Sequence, residues 1–464
     1  MIRKRFSLCL FLFAFLSLKA QNLTGSWAGN LKVPNGQINI IFNISKEANS
    51  YEVSMDIPVQ NVKGMKANSA VLEGNKMTVN FEMIKSVYVG ELKSDSTITG
   101  EWQQSGFKFP LDFAKQIMAS AGPVRPQTPK APFPYTEKKV RFENTKAEVT
   151  LGGTLTIPEG NGTFPAVVLV SGSGQQNRDS ELFGHKPFAV IADYLSRNGI
   201  IVLRYDDRGV GTSTGDFAKA TTHDFAEDAA AALKYIRKHD KVSHSRVGLI
   251  GHSEGGLIGP IVASGEDRPD FLVFLAAPGM EIDELMLEQG RLINAAAGMS
   301  ADMIKYQIES NAKAFTLIKS GPVSDSVSKK IEDNYFELIK IQTKGVMGDD
   351  AARKQAQQIT RQFSSPWFVG FMNLKPKEYL TKITGPVLAL NGSKDLQVPA
   401  KQNLEGIREI LGKNKKVELT ARELPGLNHL FQTANTGSVS EYGEIEETFS
   451  PAALKIISDW ILLK

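Results

Sequence analysis

Two regimes of hydrophobic patterning divide this chain. From about residue 22 to 115, apolar and polar positions alternate in short runs: Ile38 to Ile44, Tyr51 to Ile57, Met77 to Met83, Val87 to Leu92 and Phe107 to Phe113. Turn-forming residues interrupt the runs, among them Pro34-Asn35-Gly36 and Glu73-Gly74-Asn75. Alternation sends every second side chain to the same face of a strand. The stretch 21–116 therefore predicts a small all-β domain, an antiparallel barrel or sandwich, with Trp27 in its core.

Pro123, Pro126, Pro129, Pro132 and Pro134 follow, and such spacing predicts a semi-rigid linker over 117–135. Beyond it the pattern changes. Apolar runs at Ala166 to Val170, Ile200 to Tyr205, Val247 to Ile250, Phe271 to Ala276 and Val387 to Asn391, and a final strand near Val417 to Leu424, are separated by segments of helical character. Strands apolar on both faces belong to a mostly parallel sheet covered by helices, which makes 136–464 an α/β domain. Over a hundred residues part the runs at Phe271 and Val387, and much of that stretch reads as helix, as in Leu285 to Ala297 and Lys329 to Gln342. That is too long for a loop, so it predicts a helical cap inserted at about 281–378.

The N-terminus stands apart from both regimes. Arg3, Lys4 and Arg5 precede an apolar run from Leu8 to Leu18, and Ala20 closes it. A basic segment, a short apolar run and a small residue form the pattern of a cleaved secretory signal, here 1–20. The run is shorter than the roughly 20 apolar residues that span a bilayer. The segment holds four of the 54 basic residues and no acid, so its removal leaves a formally neutral chain. With no Lys/Arg cluster, nucleic acid is not an expected partner. The single cysteine, Cys9, also lies in this segment. Disulfides, cysteine–metal sites and cysteine nucleophiles are thus excluded from the mature chain, which is expected in the periplasm or outside the cell, with no membrane span.

The chemistry centres on Gly251-His252-Ser253-Glu254-Gly255. Glycines two positions either side of a serine allow a tight strand-to-helix turn that exposes the hydroxyl. A second Gly-x-Ser-x-Gly occurs at Gly211 to Gly215, but Ser213 follows the polar Asp206-Asp207-Arg208-Gly209, whereas Ser253 follows an apolar strand and precedes an apolar helix start. Ser253 is the expected nucleophile and Ser213 a loop residue. Nucleophilic serine needs a base and the base an orienting acid, in chain order Ser, acid, His. His429 is the histidine well beyond the elbow, in a turn after the last predicted strand. Asp395 follows the strand ending at Asn391, and Glu423, its nearest rival, falls within the last strand. The loop Ser171-Gly172-Ser173-Gly174 after Val170 could supply an oxyanion donor, the N–H of Ser173, beside the N–H of Glu254. No Gly-Lys-Ser/Thr follows that loop, which argues against phosphate binding, and no His-Glu-x-x-His suggests a metal.

From about residue 136 onward these segments together resemble the α/β-hydrolase superfamily. They most resemble the bacterial EstD-like carboxylesterases, which lie near the serine aminopeptidase group. The resembling residues are Gly172-Ser173-Gly174 with Asn177-Arg178-Asp179, Asp206 to Ser213, the elbow, Asp395-Leu396-Gln397-Val398-Pro399 and Asn428-His429. Ser171 departs from the pattern, since many relatives carry histidine there. The resemblance implies an α/β-hydrolase sheet with a helical cap, no cofactor, and a small-molecule ester as substrate. Asp207 and Arg208 are expected to brace loops near the site. Trp367, Phe368 and Phe371, near the end of the cap, are candidate walls of an acyl pocket, with packing between cap and core the alternative for each. A peptidase would use the same three residues. A glycan-binding β domain attached to an inert hydrolase is the reading from a different class.

Overall fold

A computed structural model of the chain describes residues 23–33, 36–47, 50–57, 62–104, 106–116 and 124–464. The expected signal at 1–20 and the start of the proline-rich stretch lie outside the described residues. The chain divides into two compact units, Met1–Gly122 and Pro123–Lys464.

The first unit is one curled antiparallel sheet rather than two packed sheets. Its strands are β1 (Gly25–Val33), β2 (Gly36–Glu47), β3 (Ser50–Ile57), β4 (Val62–Lys66), β5 (Ser69–Glu73), β6 (Lys76–Phe81), β7 (Ser86–Ser94), β8 (Thr97–Gln104), β9 (Phe107–Pro110) and β10 (Phe113–Lys115). They run in the order β4-β3-β2-β1-β10-β8-β7-β6-β5, with β9 paired on β8. The sheet curls because its inward residues are large: Trp27, Phe42, Phe81, Tyr88 and Phe113 are all buried in one core. At one corner the two ends meet, where the turn N–H groups of Ala67 and Asn68 donate to Val53 O and Asn80 O at 2.8 Å each. The run expected at Phe107 to Phe113 is two strands, since Leu111 and Asp112 break it.

The second unit holds an eight-stranded sheet built from β11 (Tyr135–Asn144), β12 (Val149–Pro158), β13 (Phe164–Val170), β14 (Ile201–Tyr205), β15 (Val242–His252), β16 (Phe271–Leu275), β17 (Gly385–Gly392) and β18 (Val417–Leu424). The order is β11-β12-β14-β13-β15-β16-β17-β18. β11 and β12 pair antiparallel, and all pairs from β14 to β18 are parallel. One face packs α2 (Thr222–Arg237), α3 (Gly255–Ala263) and α10 (Ala400–Leu411); the other packs α1 (Pro187–Arg197) and α11 (Pro451–Leu462). Burial on both faces is what the unbroken apolar runs required.

The cap consists of α4 (Ile282–Ala296), α5 (Ala301–Lys319), α6 (Asp325–Gln342), α7 (Asp349–Phe363), α8 (Pro366–Met372) and α9 (Pro376–Leu380), between β16 and β17. It has a core of its own around Phe315, Ile331, Tyr335 and Phe368. Among the described residues no helix is long and apolar enough to cross a membrane.

Candidate active site

Parallel pairing delivers the site's loops to one edge of the sheet. Val170 at the end of β13 is level with Gly251 in β15, and His252 is level with Leu275 at the end of β16. The loops that leave these strands, and those after β17 and β18, therefore emerge side by side at their C-terminal ends. Ligands of α/β sheets bind at that edge.

The turn between β15 and α3 is strained. Ser253 has φ +55°, a left-handed conformation that non-glycine residues rarely adopt. Its N–H is anchored to Leu275 O at 2.8 Å. The flanking glycines are needed for space: a Cβ on Gly251 would sit 2.0 Å from Gly255 O, and one on Gly255 would sit 2.3 Å from Val170 O. Among the described residues the Glu254 N–H, at the start of α3, donates to no backbone group. The first N–H groups of any helix lack intrahelical partners, which leaves them free to bind an anion.

Asp395 and His429 form a buried pair, with His429 Nδ1 2.8 Å from Asp395 Oδ2. The other carboxylate oxygen of Asp395 accepts the N–H groups of Gln397 and Val398, both at 2.8 Å. The carboxylate is thus fully engaged and fixed in direction. Glu423, by contrast, is exposed on β18. The His429 turn is shaped by buried Asn428, whose Oδ1 accepts the N–H groups of Leu430 and Gln432 at 3.0 Å each.

A cavity of about 280 Å³ opens here, lined by Ser253, His429, Gly172, Ser173 and Glu254 and walled by the cap residues Trp367 and Phe371. Trp367 and Phe371 stack at 5.3 Å. Phe368, expected beside them, does not line the cavity. It is buried in the cap's core, stacked on Phe363 at 4.5 Å, because its neighbours on α8 take the cavity face.

The structure also separates the two serine motifs. Ser213 lies in a loop where its hydroxyl donates to Asp206 O at 2.7 Å and accepts the Gly152 N–H at 3.0 Å, away from the cavity. Asp207 braces the Gly-rich loop: its carboxyl accepts from Ser171 Oγ at 2.8 Å and from the Gln176 N–H at 2.9 Å. Burial pushes Asp207 up to about 7, against those two hydrogen bonds, with Glu254 and Asp228 adding to the rise. Arg208 turns elsewhere, onto Asp228 at 2.7 Å and Asp224 at 3.2 Å in α2. Ser171, the departure from the wider family pattern, is thus the residue that ties the loop to Asp207.

Sequence reasoning missed two contributors. His252 Nε2 lies 2.9 Å from the backbone carbonyl of His429. Desolvation, and then the nearby His429, hold His252 at about 3, so at neutral pH the uncharged ring donates to that carbonyl. The side chain of Glu254 is the second: it is buried and accepts from Thr222 Oγ1 at 2.6 Å and from Trp367 Nε1 at 3.0 Å. A motif marks the backbone role of such positions but carries no signal for side-chain partners more than thirty residues away.

A mostly parallel eight-stranded sheet, a strained serine turn between β15 and α3, and an acid–histidine pair after its last strands define an α/β-hydrolase. The chain belongs to the serine aminopeptidase (S33) family, whose profile matches residues 185–432. It is 28% identical over 280 residues to Esterase EstD of Thermotoga maritima, a match covering 60% of this chain and 58% of that protein. The match thus spans less than two thirds of the relative's length. Solved structures similar to it include a hypothetical protein of Pseudomonas aeruginosa (17% identity, 73% of this chain and 96% of that one, TM-score 0.44). Another is the esterase Pf2001 of Pyrococcus furiosus (16% identity, 71% and 93%, TM-score 0.41).

Proposed function

We propose that this protein hydrolyses carboxylic esters of small molecules through an acyl-enzyme on Ser253. The observation that carries the reading is the buried Asp395–His429 pair, 2.8 Å apart, whose histidine lines one cavity with the strained Ser253. Ser253 Oγ attacks the acyl carbonyl as His429 takes its proton, and the oxyanion is received by the N–H groups of Glu254 and Ser173. The same histidine returns the proton to the departing alcohol. Water, deprotonated by His429, then attacks the acyl-enzyme and releases the acid. Asp395 holds the imidazole in the tautomer that leaves Nε2 free as base. The relative named an esterase supports this substrate class. A cavity of about 280 Å³ favours small esters, because it lies just below the roughly 300–1,000 Å³ typical of ligand pockets.

The family description, serine aminopeptidase, favours a second reading in which the same residues cleave an amino-acyl amide. One panel separates them: turnover of short and bulky acyl esters and of amino-acyl amides by the wild type and by Ser253→Ala. The ester reading expects hydrolysis of esters well above amides, and a loss on the order of 10⁴- to 10⁶-fold in Ser253→Ala with folding retained. Amide cleavage without matched ester cleavage would replace it with the peptidase reading, and full turnover by Ser253→Ala would overturn both. We further propose that residues 1–20 direct export and are removed. N-terminal sequencing of the protein recovered from the periplasm or medium of an expressing bacterium tests this, an uncut cytoplasmic product being the contrary result.

A further inference from the structure

Glu254 follows the nucleophile directly, and its side chain is only 2% exposed. A carboxyl taken out of water is costly unless donors replace the lost solvent. Among the described residues no lysine, arginine or histidine pairs with it. Its partners are neutral donors from separate parts of the unit. Thr222 Oγ1, in the first turn of α2, donates at 2.6 Å. Trp367 Nε1, on the cap helix α8, reaches both oxygens, at 3.0 and 3.1 Å. Ser173, on the Gly-rich loop, lines the cavity beside Glu254; burial pushes the Glu254 carboxyl up from its ordinary value, and Thr222, Trp367 and the Ser173 side chain oppose that rise.

Such an arrangement constrains in both directions. The carboxyl is tolerable only while its donors are in place, and each donor is therefore held by the carboxyl. An apolar side chain of similar volume would fill this space without the desolvation cost, so packing alone does not account for an acid here. What the donors belong to gives the acid its use. Trp367 stacks on Phe371 to make the cap wall of the cavity. Ser173 belongs to the loop that crosses the nucleophile, where a Cβ on Gly172 would lie 3.1 Å from Ser253 Cβ.

We propose that the Glu254 side chain is a positioning residue that holds the cap wall, through Trp367, and the Gly-rich loop, through Ser173, in one fixed geometry around Ser253. The proposal rests on the serine-hydrolase reading above and adds to it a coupling between substrate wall and oxyanion loop. The carboxyl does not touch the reacting atoms. It acts on the substrate's acyl or alcohol group through the indole, and on the developing oxyanion through the loop.

The test uses the full-length protein with kcat and KM measured separately on a short and a bulky ester. The variants are Glu254→Gln, Trp367→Phe, Ser173→Ala and their pairwise combinations. Trp367→Phe should raise KM several-fold more for the bulky ester than for the short one. Ser173→Ala, which keeps its backbone N–H, should lower kcat on both esters. Glu254→Gln should reproduce both effects, with kcat down about tenfold, the scale of modest misplacement in an active site. In the Glu254→Gln background the other two substitutions should each add less than about twofold, since residues acting through one group are not additive. Independent, multiplying effects, or wild-type kinetics in Glu254→Gln, would overturn the proposal. If Glu254→Gln does not fold, the Trp367→Phe/Ser173→Ala pair decides, because two residues coupled only through the carboxyl should still fall short of multiplying. Labelling by a fluorophosphonate, and its loss in Ser253→Ala, tests the hydrolase reading separately. Coupling without labelling would overturn that reading alone, and labelling with multiplying effects would overturn the role of Glu254 alone.

Discussion

The residue before the nucleophile holds the backbone of the candidate base: His252 Nε2 lies 2.9 Å from the carbonyl oxygen of His429, with the two rings 4.8 Å apart. The contact ties the β15 turn to the loop after β18, two segments 177 residues apart in sequence. Burial, and then the nearby His429 ring, keep His252 uncharged, against the pull of that hydrogen bond. With its pKa near 3, His252 is a neutral donor at neutral pH.

Replacing His252 by phenylalanine keeps the ring but removes the donor and leaves the His429 carbonyl unpaired. Losing one buried hydrogen bond and stranding its acceptor costs about 1–3 kcal/mol. The expected outcome is a fall of roughly tenfold in kcat on a short ester, with KM little changed and the fold intact. Steady-state kinetics with a circular-dichroism control checks it, and wild-type kcat in the variant would show that the His429 loop holds itself.

The second Gly-x-Ser-x-Gly offers a control. Ser213 donates to Asp206 O and accepts the Gly152 N–H of β12, and does not line the cavity. Ser213→Ala should therefore keep kcat within about twofold, and lose only the order of 1 kcal/mol expected for a partly buried hydroxyl network. Activity as low as that of Ser253→Ala would mean that the two motifs have been given the wrong parts.

These cases show which information was local. Ser253, Asp395 and His429 stand out as candidates because each follows the end of a legible strand, and parallel pairing brings strand ends together whatever lies between them. The strand β11 is hard to read in the sequence for a physical reason. β11 reads Tyr-Thr-Glu-Lys-Lys-Val-Arg-Phe-Glu-Asn, and most of its side chains are exposed at the sheet's edge, so it lacks an apolar run. The curled sheet of the first unit was legible as antiparallel strands but not as one sheet, because closure depends on how Trp27, Phe42 and Phe113 fill its interior. Of the three aromatics near the end of the cap, Trp367 and Phe371 take the cavity and Phe368 the packing alternative, since three aromatics within five residues of a short helix cannot all face one way. The Thr222–Glu254–Trp367 contacts have no local signature at all.

Asp207 should make stability pH-dependent in a defined direction. Its folded-state value of about 7 lies above the ordinary carboxyl value of 3.8. The native state therefore holds the proton more tightly than the unfolded chain. The stabilisation this gives is complete below about pH 4 and is lost as pH rises through 7. Asp207→Asn cannot ionise and lacks that dependence. The difference in thermal midpoint, wild type minus Asp207→Asn, should thus be largest near pH 4–5 and shrink steadily towards pH 8. Thermal melts at five pH values measure it, and a difference that is flat or grows with pH would contradict the assignment.

The proline-rich stretch is more than a spacer from residue 124 onward. Arg125 donates to the carbonyl oxygens of Ile445, Gly443 and Phe183 at 2.5, 2.6 and 2.9 Å. Gln127 donates to Phe449 O at 2.7 Å and accepts the Thr448 N–H at 2.6 Å. These partners are close to the site: Thr448 and Phe449 line the cavity, and Phe449 stacks on Phe431, two residues past His429, at 5.2 Å. A chain cut to begin at Pro123 keeps all of these bonds, and one beginning at Tyr135 loses them. With each worth about 0.5–1.5 kcal/mol, and each kcal/mol worth roughly 1–2 °C in a unit of this size, the shorter chain should melt at least about 3 °C below the longer one. It should also hydrolyse a short ester less efficiently, because the strip that carries Phe449 is no longer propped. Arg125→Ala in the full-length protein should move both quantities the same way by a smaller amount. Equal midpoints and equal kcat/KM for the two truncated chains would place the functional boundary at Tyr135 instead, and reduce the Arg125 and Gln127 contacts to surface detail.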